Sequence, residues 1–369
     1  MPYTLLAIMS ITKHNWTKEE IISIYNKPLM DLLFEAASIH RQHHDPNVVQ
    51  VSTLLSIKTG GCPEDCGYCP QAARYHTDIE GNDLMSVQQV KAQALRAKSS
   101  GSSRVCMGAA WRNVKDGPEF DQVLEMVRTI NKLDMEVCCT LGMLTENQAK
   151  RLAEAGLYAY NHNLDTSEEY YKEVISTRGF EDRLQTIENV RKTNVTVCSG
   201  GIIGMGESIE DRAGMLVALS TLNPQPESVP INALVAVEGT PMEDEKPVEI
   251  WEMIRMVATT RIVMPETQVR LSAGRTEMSR EGQAMCFFAG ANSIFAGDKL
   301  LTTPNPDVNE DMKMFELLGL KPQKPFIKLM QPKTVEAEDS VYESLGEKPR
   351  WSRPEHKIER NIEASIKGK

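Results

Sequence analysis

Eight times between residues 49 and 297 a short apolar, β-branched run is followed by a stretch with helical periodicity, and no other feature constrains the fold as tightly. The runs are "VQVSTLLSI" (49–57), "SRVCMG" (103–108), "MEVCCTLG" (135–142), "LYAYNHNL" (157–164), "VTVCSGGIIG" (195–204), "SVPINALVAV" (228–237), "QVRLSAG" (268–274) and "NSIFAG" (292–297). Between them lie amphipathic stretches such as "SVQQVKAQALRAK", "EFDQVLEMVRTINKL" and "FEDRLQTIENVRK". Strand-then-helix units in this number predict an α/β fold of the (β/α)8 TIM-barrel type, with a doubly wound open sheet as the alternative. Residues 49–330 are expected to form that barrel as one domain. Residues 1–48 are expected to form an N-terminal helical extension, in which Thr17 and Glu20 fit a capping box. Residues 331–369 are polar and charged with no sustained apolar face, and are expected to be disordered or loosely docked.

Charge and hydropathy narrow the function. The net charge is −10, with no long basic run and no aromatic-plus-basic platform, which argues against a nucleic-acid partner. No run of eighteen apolar residues is present, so no membrane-spanning helix is expected. The opening "MPYTLLAIM" lacks a basic n-region and a cleavage site, which argues against a signal peptide and leaves Met9 as an alternative start. A cytoplasmic location follows, and with it a reading of the cysteines as free thiols for metal or catalysis.

Three of the eight cysteines, Cys62, Cys66 and Cys69, fall in "GGCPEDCGYCPQ" with the spacing C-x3-C-x2-C. Three thiolates on one loop suit a metal centre meant to stay incomplete. A four-iron cluster normally takes four cysteines, so three leave one iron open to an outside ligand. A zinc site is the alternative, but it lacks a nearby fourth ligand. Barrel enzymes act at the carboxyl ends of their strands. Cys106, Cys138 and Cys198 lie in the second, third and fifth predicted strands. Asn161, Asn163 and Asp165 end the fourth, Asn232 lies in the sixth and Arg270 in the seventh. A lone buried cysteine is usually a small hydrophobe, yet several polar or thiol groups converging on one cavity suggest a site. Cys139 alternates to the opposite strand face from Cys138 and is assigned to packing, as is Cys286 in a helical run. His40, His43 and His44 in "HRQHHDPN" read as a solvated helix end. The glycines of "GGIIGMGE" read as positions where backbone approaches a ligand closely.

The three-cysteine loop, with Tyr68 before its last cysteine, resembles the signature of the radical S-adenosylmethionine (SAM) superfamily. "LLSIKTGGCPEDCGYCPQ", "RVCMGAAWR", "YNHNLDT", "VCSGGIIGMGE", "ESVPINALV", "VRLSAGR", "QAMCFFAGANSIF" and "KLLTTPNP" are similar, in order, to blocks of its biotin synthase family. The resemblance covers roughly residues 50 to 320. It implies sulfur insertion converting dethiobiotin to biotin, with a [4Fe-4S] cluster cleaving SAM to a 5′-deoxyadenosyl radical and a [2Fe-2S] cluster donating sulfur. It implies that Cys62, Cys66 and Cys69 hold the first cluster, and Cys106, Cys138, Cys198 and Arg270 the second. Tyr68, Asn163, Asp165 and Arg183 would contact SAM, and Asn161 and Asn232 dethiobiotin. An electron donor such as a flavodoxin or ferredoxin and a homodimer are implied too. Three other readings remain at this point: another radical SAM enzyme, an iron–sulfur scaffold or electron carrier, and a zinc-binding structural protein. The first would not need Cys106, Cys138, Cys198 and Arg270 together, the second leaves the asparagines unexplained, and the third would be colourless.

Overall fold

The computed structural model describes residues 12–297 and 299–325. Expectations for the tail beyond residue 331 and for the start at Met1 or Met9 lie outside the described residues.

Nine strands build the central sheet: β1 (Val48–Lys58), β2 (Arg104–Ala109), β3 (Glu136–Thr140), β4 (Ala159–Asn161), β5 (Thr196–Cys198), β6 (Gly201–Ile203), β7 (Ser228–Ala233), β8 (Gln268–Leu271) and β9 (Ser293–Ala296). All pair in parallel, and β9 pairs back onto β1, with Gln50 opposite Ser293. That closure makes a barrel and excludes the open sheet. A short β10 (Lys321–Pro322) adds to the start of β1 outside the ring.

The ring has eight staves because β5 and β6 are one stave interrupted at Ser199 and Gly200. A single run was expected over 195–204, and close backbone packing breaks it. A Cβ on Gly200 would lie 2.0 Å from the Pro230 carbonyl oxygen, and one on Gly201 would lie 2.5 Å from the Asp165 carbonyl oxygen. The stretch expected as a strand over 157–164 likewise pairs only through Asn161. Beyond it, side-chain amides add to the backbone bonds: His162 N donates to the Cys198 carbonyl at 2.9 Å, Asn161 Nδ2 donates to the same carbonyl at 3.3 Å, and the Gly200 amide donates to Asn163 Oδ1 at 3.2 Å.

Helices α3 (Val87–Ser99), α4 (Pro118–Asn131), α5 (Glu146–Glu154), α6 (Tyr171–Val174), α7 (Phe180–Arg191), α8 (Ile209–Thr221), α9 (Ile250–Val263), α10 (Arg280–Phe288) and α11 (Val308–Leu318) follow the staves. They are preceded by α1 (Lys18–Tyr25) and α2 (Leu29–His43), which pack on α8 and α9. The predicted capping box forms, with the Thr17 and Glu20 side chains each bonded to the other's amide. The apolar core lies between strands and helices. Val51, Val105, Val137, Cys139, Val229, Val269 and Ile294 face it, as does Cys286 from α10. Alternation along the strands then turns Gln50, Arg104, Cys106, Glu136, Cys138, Cys198 and Arg270 into the barrel. Barrels of this type normally fill that space with branched aliphatics.

His40 and His44 are buried, 1% and 6% exposed, not solvated. Helix α2 lies against α9, and His44 Nε2 sits 2.9 Å from Arg261 Nη1 and 3.1 Å from the Pro265 carbonyl. Among the described residues no helix is long and apolar enough to cross a membrane.

Candidate active site

The loop after β1 carries the three cysteines. Gly60 and Gly61 take left-handed φ of 76° and 71°, which lets the chain reverse into it. Backbone bonds then fix the fold of the loop: Cys62 N to the Gln71 carbonyl at 2.9 Å, Ala73 N to the Cys62 carbonyl at 2.7 Å, and Cys69 N to the Cys66 carbonyl at 2.9 Å. Burial pushes the Cys66 thiol up to about 11 and the Cys69 thiol to about 12, and raises Cys62 as well. Such thiols lose their protons to a metal centre, not to water. Among the described residues no three His, Cys, Asp or Glu side chains form a ready ligand set for a single ion. A lone zinc needs all its thiolates about 2.3 Å from one point, whereas a multi-iron cluster takes each thiolate on a different iron.

Behind the loop three of the four predicted SAM residues meet, while Asn163 accepts from Asn161 Nδ2 and the Gly200 amide. Tyr68 donates to Asp165 Oδ2 at 3.0 Å. Arg183 pairs with the same carboxylate, and its Nε donates to the Tyr171 hydroxyl at 2.9 Å. Asp165 holds a left-handed φ of 70° and bridges to Gly201. The glycines of 200–207 thus admit neighbouring parts of the chain itself: Gly204 would meet Val248 Cγ2 at 2.4 Å if it carried a Cβ. The Glu207 carboxylate closes that turn by accepting from the amides of Gly204 at 2.9 Å and Met205 at 2.7 Å.

Deeper in the barrel stand Cys106, Cys138, Cys198 and Arg270, on β2, β3, β5 and β8. Cys106 pairs in register with Cys138, and Asn161 with Cys198. Asn161 Nδ2 donates to Cys198 Sγ at 3.3 Å and to Asn163 Oδ1 at 3.0 Å. Arg270 Nη1 lies 3.8 Å from the same sulfur. Its other nitrogens donate to Ser293 Oγ at 2.9 Å and Gln50 Oε1 at 2.8 Å, and the guanidinium covers the Phe295 ring at 4.6 Å. Burial pushes Cys106 up, but the bond from Cys138 and the charges of Arg270 and Arg104 outweigh it and leave it low, while Cys138 is raised as the proton donor of the pair. Asn232 is engaged elsewhere: its amide donates to the Gly201 carbonyl at 2.9 Å and accepts from Ala273 N at 3.1 Å, tying β6 to the chain after β8. A cavity of about 620 Å³ opens beside β1, lined by Leu54, Leu300, Leu301 and Thr302 among others. Leu54 and Leu300 also pack on the cluster around Cys106 and Cys138, but the rest of the lining, with Gln93 and Ala97 of α3 and Val105 of the outer strand face, lies on the helix side of β1 and β2.

The floor of the barrel escaped sequence reading. Arg104 Nε donates to Glu136 Oε2 at 2.7 Å, Nη2 reaches Glu227 Oε1 at 3.4 Å, and the guanidinium covers Tyr158 at 4.8 Å. A signal for it existed: Arg104 and Glu136 each stand two positions before a cysteine, hence on the same strand face. Buried atoms without protein partners face this interior, among them Gln50 Nε2, Arg104 Nη1 and Ser228 Oγ. Three thiols form a soft, enclosed ligand set that fits an iron–sulfur group, and the Arg270 guanidinium and unpartnered buried N–H groups around it can donate hydrogen bonds to such a group.

The Radical SAM superfamily model matches residues 56–219, and the Biotin and Thiamin Synthesis associated domain matches residues 230–321. The chain is 90% identical to the biotin synthase of Flavobacterium psychrophilum over 98% of its own length and 100% of that protein. It is 92% identical to the biotin synthase of Flavobacterium johnsoniae over 97% of its length and 99% of that protein. It is 58% identical to that of Nostoc punctiforme over 85% and 95%. In fold it is similar to methylornithine synthase, with a TM-score of 0.71 at 19% identity over 86% of this chain and 96% of that one.

Proposed function

Since the chain belongs to the biotin synthase family of the radical SAM superfamily, we propose which of its residues carry the sulfur insertion that converts dethiobiotin to biotin. The enzyme is a sulfurtransferase that uses SAM, a [4Fe-4S] cluster and a [2Fe-2S] cluster. When bound, these groups supply a radical able to take hydrogen from an unactivated alkyl C–H and the sulfur that replaces it, chemistry beyond any side-chain acid or base.

In this reading Cys62, Cys66 and Cys69 hold the four-iron cluster and leave one iron for SAM. Tyr68 faces the adenine, Asn163 and Asp165 hold the ribose, and Arg183 holds the methionyl end. Cys106, Cys138, Cys198 and Arg270 hold the two-iron cluster, and Asn161 and Asn232 hold dethiobiotin between the two. The observation that carries it is the position of Cys198, whose sulfur receives both the Asn161 amide at 3.3 Å and the Arg270 guanidinium at 3.8 Å. A proposed substrate residue and a proposed cluster ligand thus meet at one thiol. The chain's own work is to orient and to exclude water. The closed barrel offers no free strand edge through which solvent could compete. We extend the proposal to the barrel of residues 49–330 as the catalytic body with residues 1–48 as its extension. It further includes a flavodoxin- or ferredoxin-type electron donor, a homodimer and a cytoplasmic setting, all of which rest on the family resemblance.

Iron and sulfide counts after anaerobic reconstitution test the assignment. Cys106→Ala should lose the two-iron complement and keep the four-iron one, and Cys66→Ala the reverse. A Cys106→Ala protein that keeps both, or a Cys66→Ala protein that keeps its four-iron complement, would overturn it.

A further inference from the structure

The loop that carries the three cysteines is bolted to a second segment, residues 174–178, by the two acidic residues inside it. Asp65 accepts from the amides of Ser176 at 3.0 Å and Thr177 at 3.1 Å, from Thr177 Oγ1 at 2.9 Å, and from Ser176 Oγ. Glu64 Oε2 shares that single Thr177 hydroxyl proton with Asp65, and Gly67 N donates to the Val174 carbonyl at 2.9 Å. This attachment delivers the next residue, Arg178, against the cysteines. Its side chain is 6% exposed, its Nη2 lies 3.8 Å from Cys66 Sγ, and its Nη1 lies 3.6 Å from Glu64 Oε1. Its Nε is buried with no partner.

Glu64 does not consume that charge. A second guanidinium, Arg112, reaches the same Glu64 oxygen at 3.5 Å. Two cations face one carboxylate, so one positive charge is left over beside the thiol loop, and a guanidinium cannot shed its proton there. None of this is needed to hold SAM or dethiobiotin in the assignment above.

We propose that Arg178 is a positioning residue that holds a fixed positive charge and an N–H donor against Cys66, raising the reduction potential of the four-iron cluster, with Glu64 as the opposing charge that limits the rise. The proposal rests on Cys62, Cys66 and Cys69 being the cluster's ligands. Reduction adds one electron, supplied by the external donor, to an already anionic group. Net charge and hydrogen bonds to sulfur set the potential of such groups, so a neighbouring cation favours the reduced state.

The test is the midpoint potential of the four-iron cluster in the reconstituted full chain, read by electron paramagnetic resonance along a redox titration. Arg178→Gln should shift it down, Arg178→Lys should stay nearer the parent, and Glu64→Gln should shift it up. Opposite shifts from two touching residues mark a charge effect, which general damage to the loop would not give. An unchanged potential in either glutamine variant would overturn the proposal; if Arg178→Gln takes up no iron, Glu64→Gln decides by the same criterion. Iron content of Cys66→Ala separates the two claims: a full four-iron complement there would sink the ligand assignment itself.

Discussion

Arg104 and Glu136 meet at 2.7 Å on adjacent strands in the floor of the barrel, each two residues before a cysteine of the deeper tier. Both side chains are buried, and Glu227 supplies the second carboxylate at 3.4 Å. Breaking a buried pair by removing one partner costs about 3–5 kcal/mol, because the charge left behind loses compensation. Glu136→Ala leaves Arg104 paired with Glu227 alone, and is therefore expected to destabilise the chain by less than that amount in chemical denaturation. Glu136→Gln, which keeps an acceptor, should lose less. Equal losses from the two would show that packing, not charge, holds the floor.

Arg270 is the weakest member of the proposed two-iron ligand set. A guanidinium is effectively always protonated and has no acceptor, and here its nitrogens already donate to Ser293 and Gln50. Arg270→Ala is expected to assemble a [2Fe-2S] centre with altered absorption and Mössbauer signals and to keep part of its activity. Cys106→Ala, Cys138→Ala and Cys198→Ala should each lose the centre or all sulfur insertion. Iron and sulfide content across the four variants checks the ranking, and an Arg270→Ala protein as empty as the cysteine variants contradicts it.

Asn161→Ala and Asn232→Ala are expected to weaken dethiobiotin use while SAM still binds. A buried polar partner lost to a ligand costs on the order of 1–3 kcal/mol, roughly a 5- to 150-fold rise in the substrate needed. Asn232 also ties Gly201 to Ala273, so its variant should lose some stability as well. Biotin formation against dethiobiotin concentration, set beside SAM affinity, reads both. A fall in SAM affinity with unchanged substrate dependence would mean the two ligands are reversed.

His40 gives a pH dependence. Burial holds its imidazole well below the ordinary value, with the charges of Arg261 and Arg41 adding to the effect. The unfolded chain takes up that proton below about pH 6.5 and the folded chain does not. Stability tied to His40 is therefore full above that pH and falls as the pH drops toward the depressed folded value. His40→Leu should flatten this part of the acid limb in thermal unfolding between pH 7 and 5. An unchanged slope would place the acid sensitivity elsewhere.

The alternation of strands and helices made the barrel legible, and the C-x3-C-x2-C loop made a candidate metal centre legible, because both are local patterns. Cys139 could be set aside by strand alternation and Cys286 by its place in a helical run, and both lie in the apolar core. Long-range pairings were hidden. Arg178 meets Cys66 through a segment more than a hundred positions away, and His40 and His44 read as solvated because α9, which buries them, comes two hundred residues later. The break between β5 and β6 was hidden as well, since it depends on Pro230 and Asp165 backbone that only the closed barrel brings near.

In the proposed assignment two separate cysteine sets serve two separate parts of one reaction. Mass detection of 5′-deoxyadenosine and biotin after anaerobic incubation with SAM, reductant and dethiobiotin tests it most directly in Cys66→Ala and Cys198→Ala. Cys66→Ala is expected to form neither product, and Cys198→Ala to form 5′-deoxyadenosine without biotin. Near-normal 5′-deoxyadenosine from Cys66→Ala, or biotin at the parent level from Cys198→Ala, would contradict it.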